Sequence, residues 1–103
     1  MAVFTVLYPA RDGAKFDLAY YETVHVPLVK AAFTPTGLTG VQLLKGQPGP
    51  DGAPAPYVLI INVFFRDVAA LQASLGGPRG PEVRADVAKF TDIQPITQIS
   101  LEA

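Results

Sequence analysis

The stretch YVLIINVFF, from Tyr57 to Phe65, decides the fold because it predicts a strand that is apolar on both faces. Branched and aromatic residues dominate it, which favours a strand over a helix. Successive residues of a strand point to opposite faces, and both alternating sets are largely apolar here. An antiparallel sheet usually leaves one face polar and in contact with water. We therefore expect both faces of this sheet to be covered.

Three further strands and three helices can be assigned around this stretch. The strands are predicted in AVFTVLY (Ala2–Tyr8), GLTGVQLLKG (Gly37–Gly46) and PITQISLEA (Pro95–Ala103). The helices are predicted from about Phe16 to Ala32, from Asp67 as N-cap to the glycines 76 and 77, and over GPEVRADVAKF (Gly80–Phe90). The order is β-α-β-β-α-β with the second helical region split. It predicts one α+β domain, residues 1–103, with a ferredoxin-like four-stranded antiparallel sheet.

The uncovered face of this sheet predicts a partner. In the first strand, too, apolar residues fall on both faces, with Val3 and Leu7 opposite Phe4 and Val6. Helices of a ferredoxin-like fold cover one face only. The simplest cover for the other is the same face of a second copy. We expect a homodimer whose sheets pack face to face.

Composition excludes several classes of partner. The net charge is −1 and the basic residues are scattered, so no basic stripe is available for nucleic acid. There is no cysteine, which excludes disulfides and thiolate metal sites. No apolar run approaches the ~20 residues that span a bilayer, and the start does not resemble a signal peptide. We expect no membrane association and a cytoplasmic location. The Pro/Gly-rich segment from Gly46 to Pro56 is interpreted as a hairpin connection, with a lid over a pocket as the alternative.

His25 is the only histidine, and it lies in the apolar run YYETVHVPLV, Tyr20–Val29. At 100° per residue, His25 falls away from the helix face expected to pack on the sheet. That face would carry Phe16, Tyr20, Thr23, Val24, Leu28 and Ala31. Pro27 cannot donate to the carbonyl of Thr23, so the helix should kink or end near His25. His25 is a candidate general base, a candidate ligand anchor, or an interior histidine bonded to a carbonyl.

Possible partners of His25 come from its own helix and from the third. Tyr21 lies one turn before it. Asp86, at the edge of the predicted apolar stripe of the third helix, could accept a proton from the imidazole, or could instead be solvated or paired with Arg84 or Lys89. Four aromatic residues form either core or the walls of an apolar pocket: Tyr8, Tyr21, Phe33 and Phe90. One histidine and scattered carboxylates offer no metal-ligand spacing, so neither metal nor cofactor is expected.

Three segments together resemble the EthD-like family. They are YP at Tyr8–Pro9, FDLAYYETVHVPLV at Phe16–Val29 and EVRADVAKFTD at Glu82–Asp92. The family is named for a protein associated with ethyl tert-butyl ether degradation and belongs to the dimeric α+β barrels. Its His-x-Pro and Ala-Asp-Val-x-x-Phe signals point to His25, Asp86 and Phe90 as site residues, with Tyr21 lining the same region. The segment from Gly46 to Pro56 has no counterpart in the resemblance.

Three functions follow as hypotheses. The first is a small cofactor-free enzyme, or an accessory factor in oxidative catabolism, that binds an apolar or aromatic metabolite. In it His25 moves a proton, Asp86 orients His25, and Tyr21 holds a substrate oxygen. The resemblance implies isomerisation, dehydration, cyclisation or oxygenation of an activated carbon acid. The second hypothesis is a carrier that uses the same pocket without turnover, and the third is a dimerisation module with no ligand.

Overall fold

The sheet has the predicted topology. The computed structural model describes residues 1 to 103. The strands are β1 (Ala2–Pro9), β2 (Leu38–Lys45), β3 (Tyr57–Phe65) and β4 (Ile96–Leu101). They lie in the order β2-β3-β1-β4, and every neighbouring pair is antiparallel. With helices between β1 and β2 and between β3 and β4, this is the ferredoxin-like α+β arrangement.

The first helix consists of three consecutive segments. They are α1 (Leu18–Tyr20), a π-helical turn (Tyr21–His25) and α2 (Val26–Phe33), followed by a 3-10 turn (Thr34–Thr36). The Asp17 side chain caps the start by accepting from the backbone N–H of Tyr20 at 3.0 Å. The prediction that Pro27 kinks or ends the helix near His25 is wrong about an ending. The chain stays helical, and the missing proline N–H is accommodated by the wider turn before it.

Between β3 and β4 lie α3 (Val68–Leu75), α4 (Gly80–Asp86) and a 3-10 turn (Val87–Lys89). α3 begins and ends as predicted. Asp67 accepts from the backbone N–H of Ala70 at 2.8 Å, and Gly76 is the C-cap. Pro81 lies in the first turn of α4, where its missing N–H costs no helical hydrogen bond.

The helices cover one face of the sheet. On β3 this face carries Leu59, Ile61, Val63 and Phe65, all of them buried. The first helix packs on it through Tyr21, His25, Val29, Ala32 and Phe33. The predicted packing stripe is therefore wrong, because Thr23, Val24 and Ala31 are exposed. The spacing of 100° per residue does not hold through a π-turn. Because this turn is wider, residues four positions apart lie on the same side of the helix.

The opposite face of the sheet, called the open face below, has no helix on it. Its apolar residues form two bands, one of Val3 and Phe64 and the other of Leu7, Ile60, Leu44, Ile96 and Val58. A polar row that the sequence analysis did not identify runs between them. The hydroxyl of Thr5 donates to the side-chain oxygen of Asn62 at 2.7 Å, and the Asn62 amide donates to Gln42 at 3.0 Å. The open face is therefore apolar at its edges and hydrogen-bonded across its middle.

The segment from Gly46 to Pro56 connects β2 to β3, as the hairpin interpretation predicts. Its ends are held by backbone hydrogen bonds from Gly46 to Val58 and from Ala10 to Pro56. Nearly all of its residues are exposed. None of the helices is long and apolar enough to cross a membrane.

Candidate functional site

The first helix and α4 bring His25 and Asp86 together. Nδ1 of His25 lies 2.9 Å from Oδ2 of Asp86. Both residues are buried, with exposed fractions of 4% for His25 and 6% for Asp86. The alternative in which His25 bonds a backbone carbonyl is not what the structure has. The alternative in which Asp86 is solvated is not found either, although Lys89 does approach it, with 3.9 Å between Nζ and Oδ1.

Tyr20 completes this cluster, and the sequence analysis did not identify it as a site residue. Its hydroxyl donates to Oδ1 of Asp86 at 2.7 Å, so each carboxylate oxygen has a short hydrogen bond. Tyr20 lies at the junction between α1 and the π-turn, whereas Asp86 ends α4. The two residues are 66 positions apart, and no local sequence pattern reports a contact of that kind.

The electrostatics of the pair determine whether the imidazole is charged and which ring nitrogen carries the proton. Burial lowers the pKa of His25 below its usual value, and the hydrogen bond and charge of Asp86 offset only part of that effect. Burial acts to raise the pKa of Asp86, but hydrogen bonds from His25 and Tyr20 and the charges of His25 and Lys89 together hold it below its usual value. At neutral pH this gives a carboxylate facing a neutral imidazole. Nδ1–H then donates to Asp86, and Nε2 is left with a free lone pair.

The π-turn determines where this imidazole points. Residues of an α-helix bond to the carbonyl four residues back, but the N–H of Val26 bonds to the carbonyl of Tyr21, five residues back. Pro27 follows directly and has no N–H to donate. The extra residue in this turn aligns His25 with Tyr21 and Val29 on the buried face. Single π-turns within α-helices occur frequently at functional sites.

A cavity of about 670 Å³ lies beside His25 and is partly open to solvent. It lies between the helix-covered face of the sheet, the first helix, and the chain from α4 to β4. Most of its wall is apolar, and its volume is in the range of ligand pockets. The residues that line it include Phe4, Val6, Tyr8, Tyr21, His25, Val29, Phe33, Val63, Val83, Arg84, Val87, Asp92, Ile93 and Thr97.

Three polar atoms on this wall have no hydrogen-bond partner within the chain. They are Nε2 of His25 and the hydroxyls of Tyr8 and Tyr21, whose residues are at most 4% exposed. None of these atoms is sealed off, since no fully buried side-chain polar atom lacks a partner. Burial raises the pKa of both tyrosines, which keeps them as neutral hydroxyl donors. These three atoms thus present two donors and one acceptor to whatever occupies the cavity.

The other predicted site residues divide into two groups. Tyr8, Tyr21 and Phe33 line the cavity, as the pocket alternative for these aromatics predicts. Phe90 does not line it. Its side chain is fully buried behind the imidazole, with ring centroids 4.8 Å apart, and also packs against Tyr21 at 5.0 Å. Phe90 therefore helps to hold the rings of His25 and Tyr21 in their orientation. The hairpin segment from Gly46 to Pro56 contributes nothing to the lining.

The chain contains no cluster of three or more histidine, cysteine, aspartate or glutamate side chains that could hold a metal ion. The site consists instead of one imidazole, one carboxylate and three phenols. This set can exchange a proton with a ligand and can hydrogen-bond a ligand oxygen.

Comparisons with solved structures identify proteins of the same fold. An EthD-like protein from Ralstonia eutropha is 34% identical, with a TM-score of 0.88 over 96% of this chain and 88% of that chain. An ethyl tert-butyl ether degradation (EthD) family protein from Bacillus halodurans is 20% identical, with a TM-score of 0.79 over 100% and 99% of the two chains. SnoaB, a cofactor-independent oxygenase from Streptomyces nogalater, is 13% identical, with a TM-score of 0.69 over 99% and 92%.

A further solved neighbour, from Mesorhizobium loti, is a dimeric α+β barrel (DABB) family protein with a ferredoxin-like fold, 16% identical to this chain, with a TM-score of 0.60 over 99% of this chain and 97% of that chain. No curated protein matches this chain. The sequence profile of the EthD domain matches residues 13–94, which include His25, Asp86 and the helices that carry them. The chain therefore belongs to the EthD family.

Proposed function

We propose that this protein binds a small apolar or aromatic molecule in the cavity and that His25 acts on it as a general base. The observation that carries the proposal is a set of three unpartnered polar atoms that belong to buried residues on a mostly apolar wall: Nε2 of His25 and the hydroxyls of Tyr8 and Tyr21. Buried polar groups normally have partners, so a wall that leaves three of them free favours a ligand with complementary groups.

The chemistry is a proton transfer. A ligand C–H or O–H next to Nε2 gives its proton to the lone pair, and the imidazolium that forms is stabilised by the Asp86 carboxylate at 2.9 Å. The electrons left on the ligand move onto an oxygen, for which the hydroxyls of Tyr21 and Tyr8 are hydrogen-bond donors. Isomerisation, dehydration, cyclisation and oxygenation of an activated carbon acid all begin with such a step. The description of SnoaB as a cofactor-independent oxygenase supports this reaction class on the same fold.

The proposal includes a homodimer formed through the open face. The residues Val58, Leu44 and Ile96 on that face are 36–51% exposed in the single chain, which supports burial by a partner. The cavity lies on the helix-covered side of the sheet, so dimerisation leaves it accessible. The proposal also includes a cytoplasmic location.

Deuterium exchange into a bound carbon acid tests the proposal. Ketones fused to an aromatic ring, such as 2-tetralone, exchange the hydrogens next to their carbonyl when a base removes them, and proton NMR in D2O follows the loss of signal. We expect the wild-type protein to accelerate exchange, and the His25→Gln variant to bind the ketone without accelerating it. Binding without acceleration by the wild type would instead identify a carrier. No binding of 2-tetralone would favour a dimerisation module.

A further inference from the structure

One charged residue on the cavity wall has no part in the proposed proton transfer. Arg84 lines the wall from α4, two residues before Asp86, and has no acidic partner in the chain. The other arginines all form ion pairs: Arg11 with Asp92, Arg66 with Asp67 and Arg79 with Glu82. A guanidinium carries five donors, and the only hydrogen bond of Arg84 is from Nη1 to the carbonyl of Leu75 at 2.9 Å.

The charges around the mouth of the cavity favour an anion beside Arg84. Asp92 is the other charged residue on the wall, and Arg11 neutralises it at 3.0 Å while the backbone N–H of Lys15 donates to it at 2.9 Å. The mouth thus has one uncompensated positive charge. Nη1 donates to the carbonyl of the last residue of α3, where the helix carbonyls carry partial negative charge, and the other N–H donors of this exposed guanidinium have no partner.

The inner end of the same cavity disfavours an anion. The lone pair on Nε2 of His25 faces the cavity, and the carboxylate of Asp86 is bonded to the other ring nitrogen. An anionic oxygen next to Nε2 would face the lone pair of a neutral ring paired with a carboxylate, and the donors beside it, the hydroxyls of Tyr8 and Tyr21, carry no positive charge. A ligand with both an apolar body and a negative charge would therefore bind with its charge at the mouth and a neutral group at His25.

Resting on the proposed function, we propose that the ligand is an apolar organic anion whose acidic oxygen group binds to Arg84 while its neutral, proton-yielding end lies against His25. Arg84 is then a specificity-determining residue. Guanidinium groups bind carboxylate-like groups through two parallel hydrogen bonds, and this arginine has enough free N–H donors for that geometry.

Two dyes that differ by one sulfonate test the proposal by fluorescence titration. They are 1-anilinonaphthalene-8-sulfonate, which is anionic, and N-phenyl-1-naphthylamine, which is neutral. The informative variant is Arg84→Gln, which retains an N–H donor for the Leu75 carbonyl but removes the charge. The matched control is Lys30→Gln, which removes an exposed cation of the first helix that does not line the cavity.

In the Arg84→Gln variant we expect the sulfonate dye to bind about fivefold more weakly or worse, and the neutral dye to bind within about twofold of wild type. Added salt should weaken the sulfonate dye in the wild type and have little effect in Arg84→Gln. Lys30→Gln should leave both dyes unchanged. An equal loss for both dyes, or no loss for either, would overturn the role of Arg84 and leave proton transfer at His25 intact. If neither dye binds the wild type in the cavity, the proposed function fails as well.

Discussion

Replacing Asp86 with asparagine should reverse the proton arrangement of His25 while the protein still folds. The two oxygens of Asp86 accept from two donors, the Tyr20 hydroxyl at 2.7 Å and Nδ1–H of His25 at 2.9 Å. An asparagine amide has one acceptor oxygen and one donor NH₂. Its oxygen can accept from only one of the two, and its NH₂ must face the other, which then has to accept. With the amide oxygen on Tyr20, the NH₂ faces Nδ1 and the imidazole must move its proton to Nε2. With the amide reversed, the Tyr20 hydroxyl accepts from the NH₂, and His25 keeps its proton on Nδ1 but loses the carboxylate charge that stabilises the imidazolium.

The expected cost to stability follows from the same two bonds. A hydrogen bond to a charged group contributes about 1.5–3 kcal/mol and a neutral one about 0.5–1.5 kcal/mol, so weakening two bonds should lower the free energy of unfolding by about 1–3 kcal/mol. Urea denaturation measures this change. The matched control is Asp12→Asn, at an exposed carboxylate without an ion pair, which should stay within about 0.5 kcal/mol of wild type.

The effect on function should be larger than the effect on stability. With its proton on Nε2, His25 offers a donor to the cavity instead of a lone pair, and it cannot accept a proton from a ligand. Deuterium exchange into 2-tetralone should therefore fall to the level of the His25→Gln variant. An Asp86→Asn protein that keeps wild-type exchange would refute the role assigned to the carboxylate. An Asp86→Asn protein as stable as wild type would refute the stability assigned to the two hydrogen bonds of Asp86.

Three other outcomes are expected. Ile61→Asp should abolish folding because Ile61 is 1% exposed under the helices. Ile60→Asp, on the open face, should instead give a folded protein that is a monomer by light scattering. A dimeric Ile60→Asp protein would contradict the sheet-face dimer. Pro27→Ala restores a backbone N–H and should relax the π-turn, so that dye affinity falls more than the melting temperature; a conserved affinity would show that the turn is incidental. The free energy of unfolding should fall as the pH drops below about 6.5, because the unfolded chain then protonates its histidine while the lowered pKa of His25 keeps the folded one neutral. This step should be missing in His25→Gln, and its persistence there would exclude His25 as its origin.

Local signals were enough to predict the sheet and both ends of α3. The run from Tyr57 to Phe65 became β3 with the predicted bounds, and Asp67 and Gly76 cap α3 at the predicted positions. The approach of Asp86 to His25 was one of several alternatives from the residues alone. The family resemblance added weight to it by marking both residues.

Other features depend on packing that no single segment encodes. The buried face of the first helix was mispredicted because the π-turn changes the angular spacing of its residues, and Pro27 indicated only that something must change there. Tyr20 was missed because its partner lies far along the chain. Whether an aromatic residue forms wall or core depends on where a cavity remains, which is why the sequence left both alternatives open for Phe90, whose ring is buried and does not line the cavity.

Nitrogen NMR of His25 tests the central claim most directly. The chain has one histidine, so its two ring nitrogens can be assigned without ambiguity. At pH 7 we predict a neutral imidazole with its proton on Nδ1, a pKa below the usual value of about 6.5, and a change in the Nε2 signal when a cavity ligand is added. An imidazolium at pH 7, or a neutral ring with its proton on Nε2, would contradict the account, because neither form offers the cavity a lone pair at Nε2.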